Sequence, residues 1–332
     1  MKILIVLIRI PLNKRKIDMK NIILIVLLSV ASFSQVRAEE VSIVVNGFNL
    51  KGTLEVPKLN QPVDVVLIIA GSGPTDRDGN SSLLPGKNNS LKMLADLFYK
   101  NGIASLRYDK RGMGASGIIT NESELTFDMY INDAVEWIKF LKNDKRFSRI
   151  IIAGHSEGSL IGMVSAIRTN ADKYISLCGA GQSAYSLLSE QLKSSGLPQD
   201  QIDQSNKLLD SLRSGYNVKN IPSNQNLNAL FRPSIQKYMI SWFQYDPINE
   251  ISKLTIPVLI IEGTTDIQVD TKDAEMLSKA CKNSELVIIE DMNHILKEVG
   301  TKDRSLNFAS YSNPELELSS QLCSTIIEFI NK

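Results

Sequence analysis

The stretch Gly154-His155-Ser156-Glu157-Gly158 holds the residue best suited to attack a carbonyl carbon. An apolar run over residues 150–153 precedes it and a helical pattern over 159–167 follows, so the serine lies between a strand and a helix. Such a junction must turn sharply, which exposes the hydroxyl, and glycines two residues before and after let strand and helix pass closely. A serine hydroxyl is a weak nucleophile at neutral pH and needs a base within reach. The chain has two histidines. His155 adjoins the serine and is expected to point off the line of attack, which leaves it a packing role. His294, in the polar loop Asp291-Met292-Asn293-His294 after a strand pattern at 286–289, is the expected base.

An imidazole that takes a proton needs a carboxylate to orient it and to stabilise its charged form. Gly263-Thr264-Thr265-Asp266 follows a strand pattern at 258–261 and gives the chain order serine, acid, histidine, one of the orders in which such triads occur. Asp270 and Asp273 are rivals, but they fall at the start of a helix, where acids suit the positive helix end. Asp291 is too near His294 in sequence to need a fold to bring it there. Asp266 is the expected acid. Attack also creates an oxyanion, and each well-aimed backbone donor lowers that barrier by on the order of 3 kcal/mol. The Glu157 amide is one expected donor. The other belongs to the loop Gly71-Ser72-Gly73-Pro74 after the apolar run 65–70, with Ser72 the expected residue.

The elements that must carry these groups read as an α/β fold. Alternation around Asn46-Gly47 predicts a β-hairpin over residues 41–56. Strand patterns at 65–70, 103–108, 150–153, 174–178, 258–261 and 286–289 trade places with helical patterns at 90–100, 127–141 and 316–330. Parallel neighbours need crossovers that helices supply, so the prediction is a mostly parallel sheet flanked by helices. Between 181 and 256 the alternation stops and helical patterns run over 184–195, 199–214 and 234–243. This stretch, about 182–250, is expected to be a helical lid insertion above the strand ends, where such folds bind ligands. Leu227, Leu230, Phe231, Met239, Trp242 and Phe243 are candidates for an acyl pocket within it.

These stretches together resemble the α/β-hydrolase superfamily, in its serine-aminopeptidase-like and small-esterase branch. Gly71-Ser72-Gly73-Pro74-Thr75-Asp76-Arg77-Asp78 is similar to that branch's oxyanion loop. Tyr108-Asp109-Lys110-Arg111-Gly112-Met113-Gly114-Ala115-Ser116 is similar to its arginine-glycine loop. The run from Ile256 to Asp266 resembles its acid-bearing strand, and the elbow and Asn293-His294 complete the likeness. Where many relatives carry His-Gly before the oxyanion residue, this chain has Ala70-Gly71. Asp76, Arg77, Asp109 and Arg111 are expected to form an ion-pair network bracing these loops. The resemblance implies hydrolysis of an ester, thioester or amide through an acyl-enzyme.

Composition bounds the alternatives. A formal net charge of +1 over 332 residues leaves no footprint for nucleic acid. Two histidines and three scattered cysteines, Cys178, Cys281 and Cys323, contain no structural-zinc spacing, so no metal and no cofactor are expected. No essential disulfide is expected either. Lys14, Arg15, Lys16 and Lys20 precede an apolar run at 22–33 and the small-residue sequence Val36-Arg37-Ala38. That pattern predicts a signal peptide, with upstream segment, over 1–38 and a hydrolase domain over 39–332, exported to the periplasm or secreted, without a lasting membrane anchor. Met19 is an alternative start. The expected partner is a small ester or acyl substrate. An aminopeptidase, or an acyltransferase or thioesterase, is the alternative on the same triad, and a non-catalytic binding protein is the alternative of another class. The acids Glu190, Asp200, Asp203 and Asp210 of the insertion read as solvated charges, which disfavours an amine-binding cluster. Oligomeric state has no signature in the sequence.

Overall fold

Asn46 and Gly47 adopt φ of 49° and 78°, the two left-handed residues that a type I′ turn demands. They join β1 (Ala38–Val45) to β2 (Phe48–Glu55), with Val45 opposite Phe48. The structure is a computed structural model and describes residues 38–332 apart from 118, 120, 194 and 222. The expected export segment up to Arg37 and both possible start methionines lie outside the described residues.

Six further strands follow: β3 (Val63–Ile69), β4 (Ala104–Tyr108), β5 (Phe147–His155), β6 (Lys173–Leu177), β7 (Val258–Gly263) and β8 (Ser284–Ile289). They form one eight-stranded sheet in the order β1-β2-β4-β3-β5-β6-β7-β8. β1–β2 and β2–β4 pair antiparallel and the rest parallel, the mixed but mostly parallel sheet expected. The main helices are α1 (Ser90–Lys100), α2 (Phe127–Lys142), α3 (Glu157–Thr169), α4 (Ala184–Lys193), α5 (Gln199–Arg213), α6 (Gln225–Phe231), α7 (Pro233–Trp242), α8 (Pro247–Ile251), α9 (Thr271–Ala280), α10 (Arg304–Ala309) and α11 (Ser320–Asn331).

Central strands are buried on both faces, and their period of two sorts the core into two layers. Val65, Leu67 and Ile69 of β3 join one cluster with Trp137 and Ile138 of α2 and Ile161 of α3. Val66, Ile68 and Ala70 join the other with Leu94 and Phe98 of α1 and Ile326 of α11. Strand order reverses at β3, whose successor β4 lies on one side while β5 lies on the other. Loops leaving adjacent strands diverge at such a point and open a crevice beyond their carboxyl ends. The two loops that open here carry Ser72 and Ser156.

Five helices, α4 to α8, connect β6 to β7. The sequence patterns anticipated α4, α5 and α7. The short α6 and α8 have too few residues to reveal a period, although Asn224 and Asp246 cap them and Pro247 stands at the first helical position of α8. The candidate acyl-pocket residues Leu227, Phe231 and Met239 lie in the hydrophobic core. An apolar stripe at helical spacing buries itself against neighbouring helices first, and that is where these residues went. Among the described residues no helix is long and apolar enough to cross a membrane.

Candidate active site

Ser156 occupies the turn between β5 and α3 with φ 55° and ψ −122°, a conformation a non-glycine residue adopts only under strain. Its hydroxyl does not cap the helix it precedes, so the oxygen is not spent on structure. The flanking glycines are required by distance as well as by turn geometry. A Cβ on Gly154 would lie 2.2 Å from the Gly158 carbonyl oxygen, and one on Gly158 would lie 2.3 Å from that of Ile69. The close pass of α3 over β3 that holds the turn in place leaves no room for a side chain at either position.

The loops after β7 and β8 are stitched to one another. The Thr264 amide donates to the Ile289 carbonyl at 2.9 Å and the Thr265 amide to that of Met292 at 3.1 Å. A Cβ on Gly263 would meet the Met292 oxygen at 1.9 Å, so only glycine admits this approach. The stitching sets His294 Nδ1 2.6 Å from Asp266 Oδ2. Asp266 Oδ1 accepts the amides of Gln268 (2.7 Å) and Val269 (3.0 Å), which fix the carboxylate plane. Burial would raise the Asp266 pKa, but the His294 imidazole and these hydrogen bonds outweigh it and hold the carboxyl below its ordinary value. Of the rival acids, Asp270 caps α9 by accepting the Lys272 amide, and Asp273 accepts the amides of Gly181 and Gln182.

Two neighbours escaped the sequence reading. His155 does more than pack: its ring lies 4.9 Å from that of His294, and its Nε2–H donates to the His294 carbonyl at 2.7 Å. Burial, then the nearby His294, lowers its pKa to about 4, so at neutral pH it is an uncharged donor that holds the His294 backbone. Its place beside Ser156 was the available signal. Glu262, fully buried in β7, lies with Cys178 and Asp266 in a cluster whose polar atoms fall within 4.8 Å of one another. Burial, then the Asp266 charge, pushes Glu262 well above its ordinary value, which favours its neutral form beside the Asp266 carboxylate. A glutamate directly after the apolar run Val258-Leu259-Ile260-Ile261, within the same strand, was its signal.

The loop after β3 is braced as expected in part. The Arg77 amide and side chain both bind Asp109, at 2.7 and 3.0 Å, and Arg77 also reaches Glu40 on β1. Arg111 instead pairs with Asp133 of α2, and Asp76 accepts amides of its own loop. Arg111 also donates to the Val45 carbonyl, while the Asp109 carboxylate is taken by Arg77 and the Ala115 amide. Within the loop, the Ser72 carbonyl accepts the Thr75 hydroxyl at 2.9 Å, and the Ser72 N–H has no protein acceptor among the described residues.

A cavity of about 890 Å³ opens over Ser156, lined by Ser72, Lys110, Glu157, Leu125, Leu160, Leu188, Val269 and one face of α7. That face presents Ile235, Tyr238 and Trp242, the i, i+3, i+7 spacing of a helical stripe. Of the six candidate acyl-pocket residues, Trp242 alone contributes to this wall. Two carboxylates also line it, both already partnered. Glu122 accepts from Arg232 and Ser234, and Glu157 from Lys110 and Tyr238. None of Glu190, Asp200, Asp203 and Asp210 reaches the cavity wall.

Comparison with known proteins agrees with this architecture. The family model described as serine aminopeptidase, S33, matches residues 87–298. Esterase EstD of Thermotoga maritima is 32% identical over 267 residues, which cover 78% of this chain and 60% of EstD. The chain thus spans about 60% of the length of that curated relative. Among solved structures, Est1E from Butyrivibrio proteoclasticus with ferulic acid bound superposes with a TM-score of 0.59 at 20% identity, over 88% of this chain and all of that one. A Pyrococcus furiosus esterase, Pf2001, gives 0.56 at 16% identity over 89% and 90% of the two chains. The family match takes in the loop after β4, the elbow, the acid loop and His294, and with the sheet order it places the chain in the serine aminopeptidase S33 family of α/β hydrolases.

Proposed function

We propose that the protein is a serine esterase that cleaves carboxylic esters of short or medium acyl chain through an acyl-enzyme on Ser156. The observation that carries this reading is the 2.6 Å bond between His294 Nδ1 and Asp266 on the loops next to the strained Ser156 turn. With Nδ1–H given to Asp266, the other ring nitrogen is free to accept the Ser156 proton as the hydroxyl attacks the ester carbonyl. The tetrahedral oxyanion is received by the Glu157 and Ser72 amides. Collapse expels the alcohol, protonated by His294, and water then releases the acid by the same steps in reverse. The apolar wall of Leu125, Leu160, Leu188 and Trp242 suits an acyl chain, with the helical insertion acting as a lid over it.

The family description favours a second reading, an aminopeptidase. Such an enzyme holds the substrate's ammonium against a carboxylate. Glu122 and Glu157 are the carboxylates of the cavity, and each already has a cation and a hydroxyl as partners, which supports esters over amino-terminal amides. The names of the relatives, an esterase and an esterase bound to ferulic acid, point the same way. A fluorophosphonate probe should label the wild-type protein and leave Ser156→Ala unlabelled. Specificity constants on matched pairs, an activated ester and an anilide of one acyl group, then decide substrate class. Faster cleavage of a free-amino anilide than of its ester would replace the esterase by the aminopeptidase.

A further inference from the structure

Lys110 follows β4 and is buried, its side chain 2% exposed. Enclosing an ammonium costs several kcal/mol after relaxation unless its bonds are well made. Here they are specific. Nζ donates to the Gly71 carbonyl at 2.5 Å and to Glu157 Oε1 at 3.2 Å, and it lies 5.1 Å from the centre of the Tyr130 ring. The second Glu157 oxygen accepts the Tyr238 hydroxyl of α7 at 2.7 Å. Burial, then the Glu157 charge, pushes the Tyr238 phenol far above its ordinary pKa, so it remains a donor.

The two residues so gripped are Gly71, which shares a peptide unit with the Ser72 N–H, and Glu157, whose own N–H is the other proposed oxyanion donor. The Gly71 carbonyl and the Ser72 N–H belong to one trans, planar peptide unit, in which C=O and N–H point in opposite directions. Holding the carbonyl therefore fixes where the Ser72 N–H points. That unit turns about ψ of Gly71 and φ of Ser72, and Gly71, with no Cβ, restrains it least, so the bond from Lys110 is a direct restraint on its orientation. Gly71 itself lies against the nucleophile: a Cβ there would fall 3.1 Å from that of Ser156. The other amide opens α3 at Glu157, whose side chain is tied back to the same ammonium.

We propose that Lys110 is the positioning residue of the oxyanion hole, setting the Ser72 and Glu157 amides through one grip on the Gly71 carbonyl and the Glu157 carboxylate. This rests on the serine-esterase reading of Ser156. Its consequence is specific to the transition state, because amides set for an oxyanion gain strength only as that charge forms. Lys110→Met removes the donors at nearly constant volume but strands the Glu157 charge, so Lys110→Met/Glu157→Gln is measured beside it. Both are assayed on an activated acetate ester with rates expressed per fluorophosphonate-titrated site, which removes any contribution from misfolded protein. The expected result in both variants is a kcat lower by about 10²-fold, the cost of losing one such donor, with KM changed less than about threefold. A trifluoromethyl ketone, whose adduct carries the oxyanion, should lose affinity by a similar factor. A kcat per titrated site within about threefold of wild type in the double variant, or a change confined to KM, overturns the proposal. Wild-type protein that neither labels nor turns over esters would overturn the esterase reading instead.

Discussion

His155 ties stability to pH in a way the structure quantifies. Its ring is buried against His294 and its pKa falls from 6.5 to about 4, burial being the main cause. The sign follows from proton counting. Above pH 6.5 the residue is neutral in folded and unfolded chains alike and its contribution is fully present. Below 6.5 the unfolded chain takes up a proton that the folded one refuses, so stability is lost as pH falls, until the folded residue itself titrates near 4. A shift of about two and a half units at about 1.4 kcal/mol per unit makes the full loss about 3 kcal/mol, of which about 2 is already gone at pH 5. His155→Gln keeps a neutral donor for the His294 carbonyl but cannot be protonated. Urea unfolding of both proteins at pH 7.5 and pH 5 isolates the term, since every other titrating group is common to the two. The gap in unfolding free energy should move by about 2 kcal/mol in favour of the variant at the lower pH. Parallel loss of stability in the two proteins would refute a neutral, buried His155 and with it the account of how the His294 backbone is held.

Asp266 and the N-terminal segment give two more tests. Asp266→Asn should keep the fold but lower kcat by about 10⁴-fold, because an amide at Oδ2 no longer enforces the Nδ1–H tautomer of His294. Steady-state kinetics on an activated ester checks this, and a loss below about tenfold would remove Asp266 from its role. If the basic and apolar segment ending at Ala38 is a cleaved export signal, N-terminal sequencing of protein from the periplasm or medium should begin at Glu39, and an intact segment from Met19 to Ala38 would refute export.

The sequence made the sheet and the elbow readable because both depend on local signals. Apolar runs marked most of the inner strands to within a few residues at the ends, and the alternation around Asn46-Gly47 marked the hairpin and its register. Ser156, Asp266 and His294 stood out because each follows a strand on a polar or glycine-bearing loop. Short helices such as α6 and α8 passed unnoticed, since one or two turns cannot establish a period, and the stripe of Leu227, Phe231 and Met239 stood open between core and pocket because period alone does not say what a face packs against. The groups that support the site escaped for a different reason. Lys110 meets Gly71 and Glu157 across 39 and 47 residues of chain, and only because β4 and β5 flank β3. What a sequence can report about such residues is narrower and still useful. Glu262 interrupts an apolar strand and Lys110 follows one, and a charge placed there must be neutralised or paired, since an isolated buried charge costs several kcal/mol. The sequence thus states that a partner exists, while strand order decides which one: Glu262 lies beside Asp266, whose charge together with burial raises its pKa, and Lys110 binds the Gly71 carbonyl and the Glu157 carboxylate on the two segments next to Ser156.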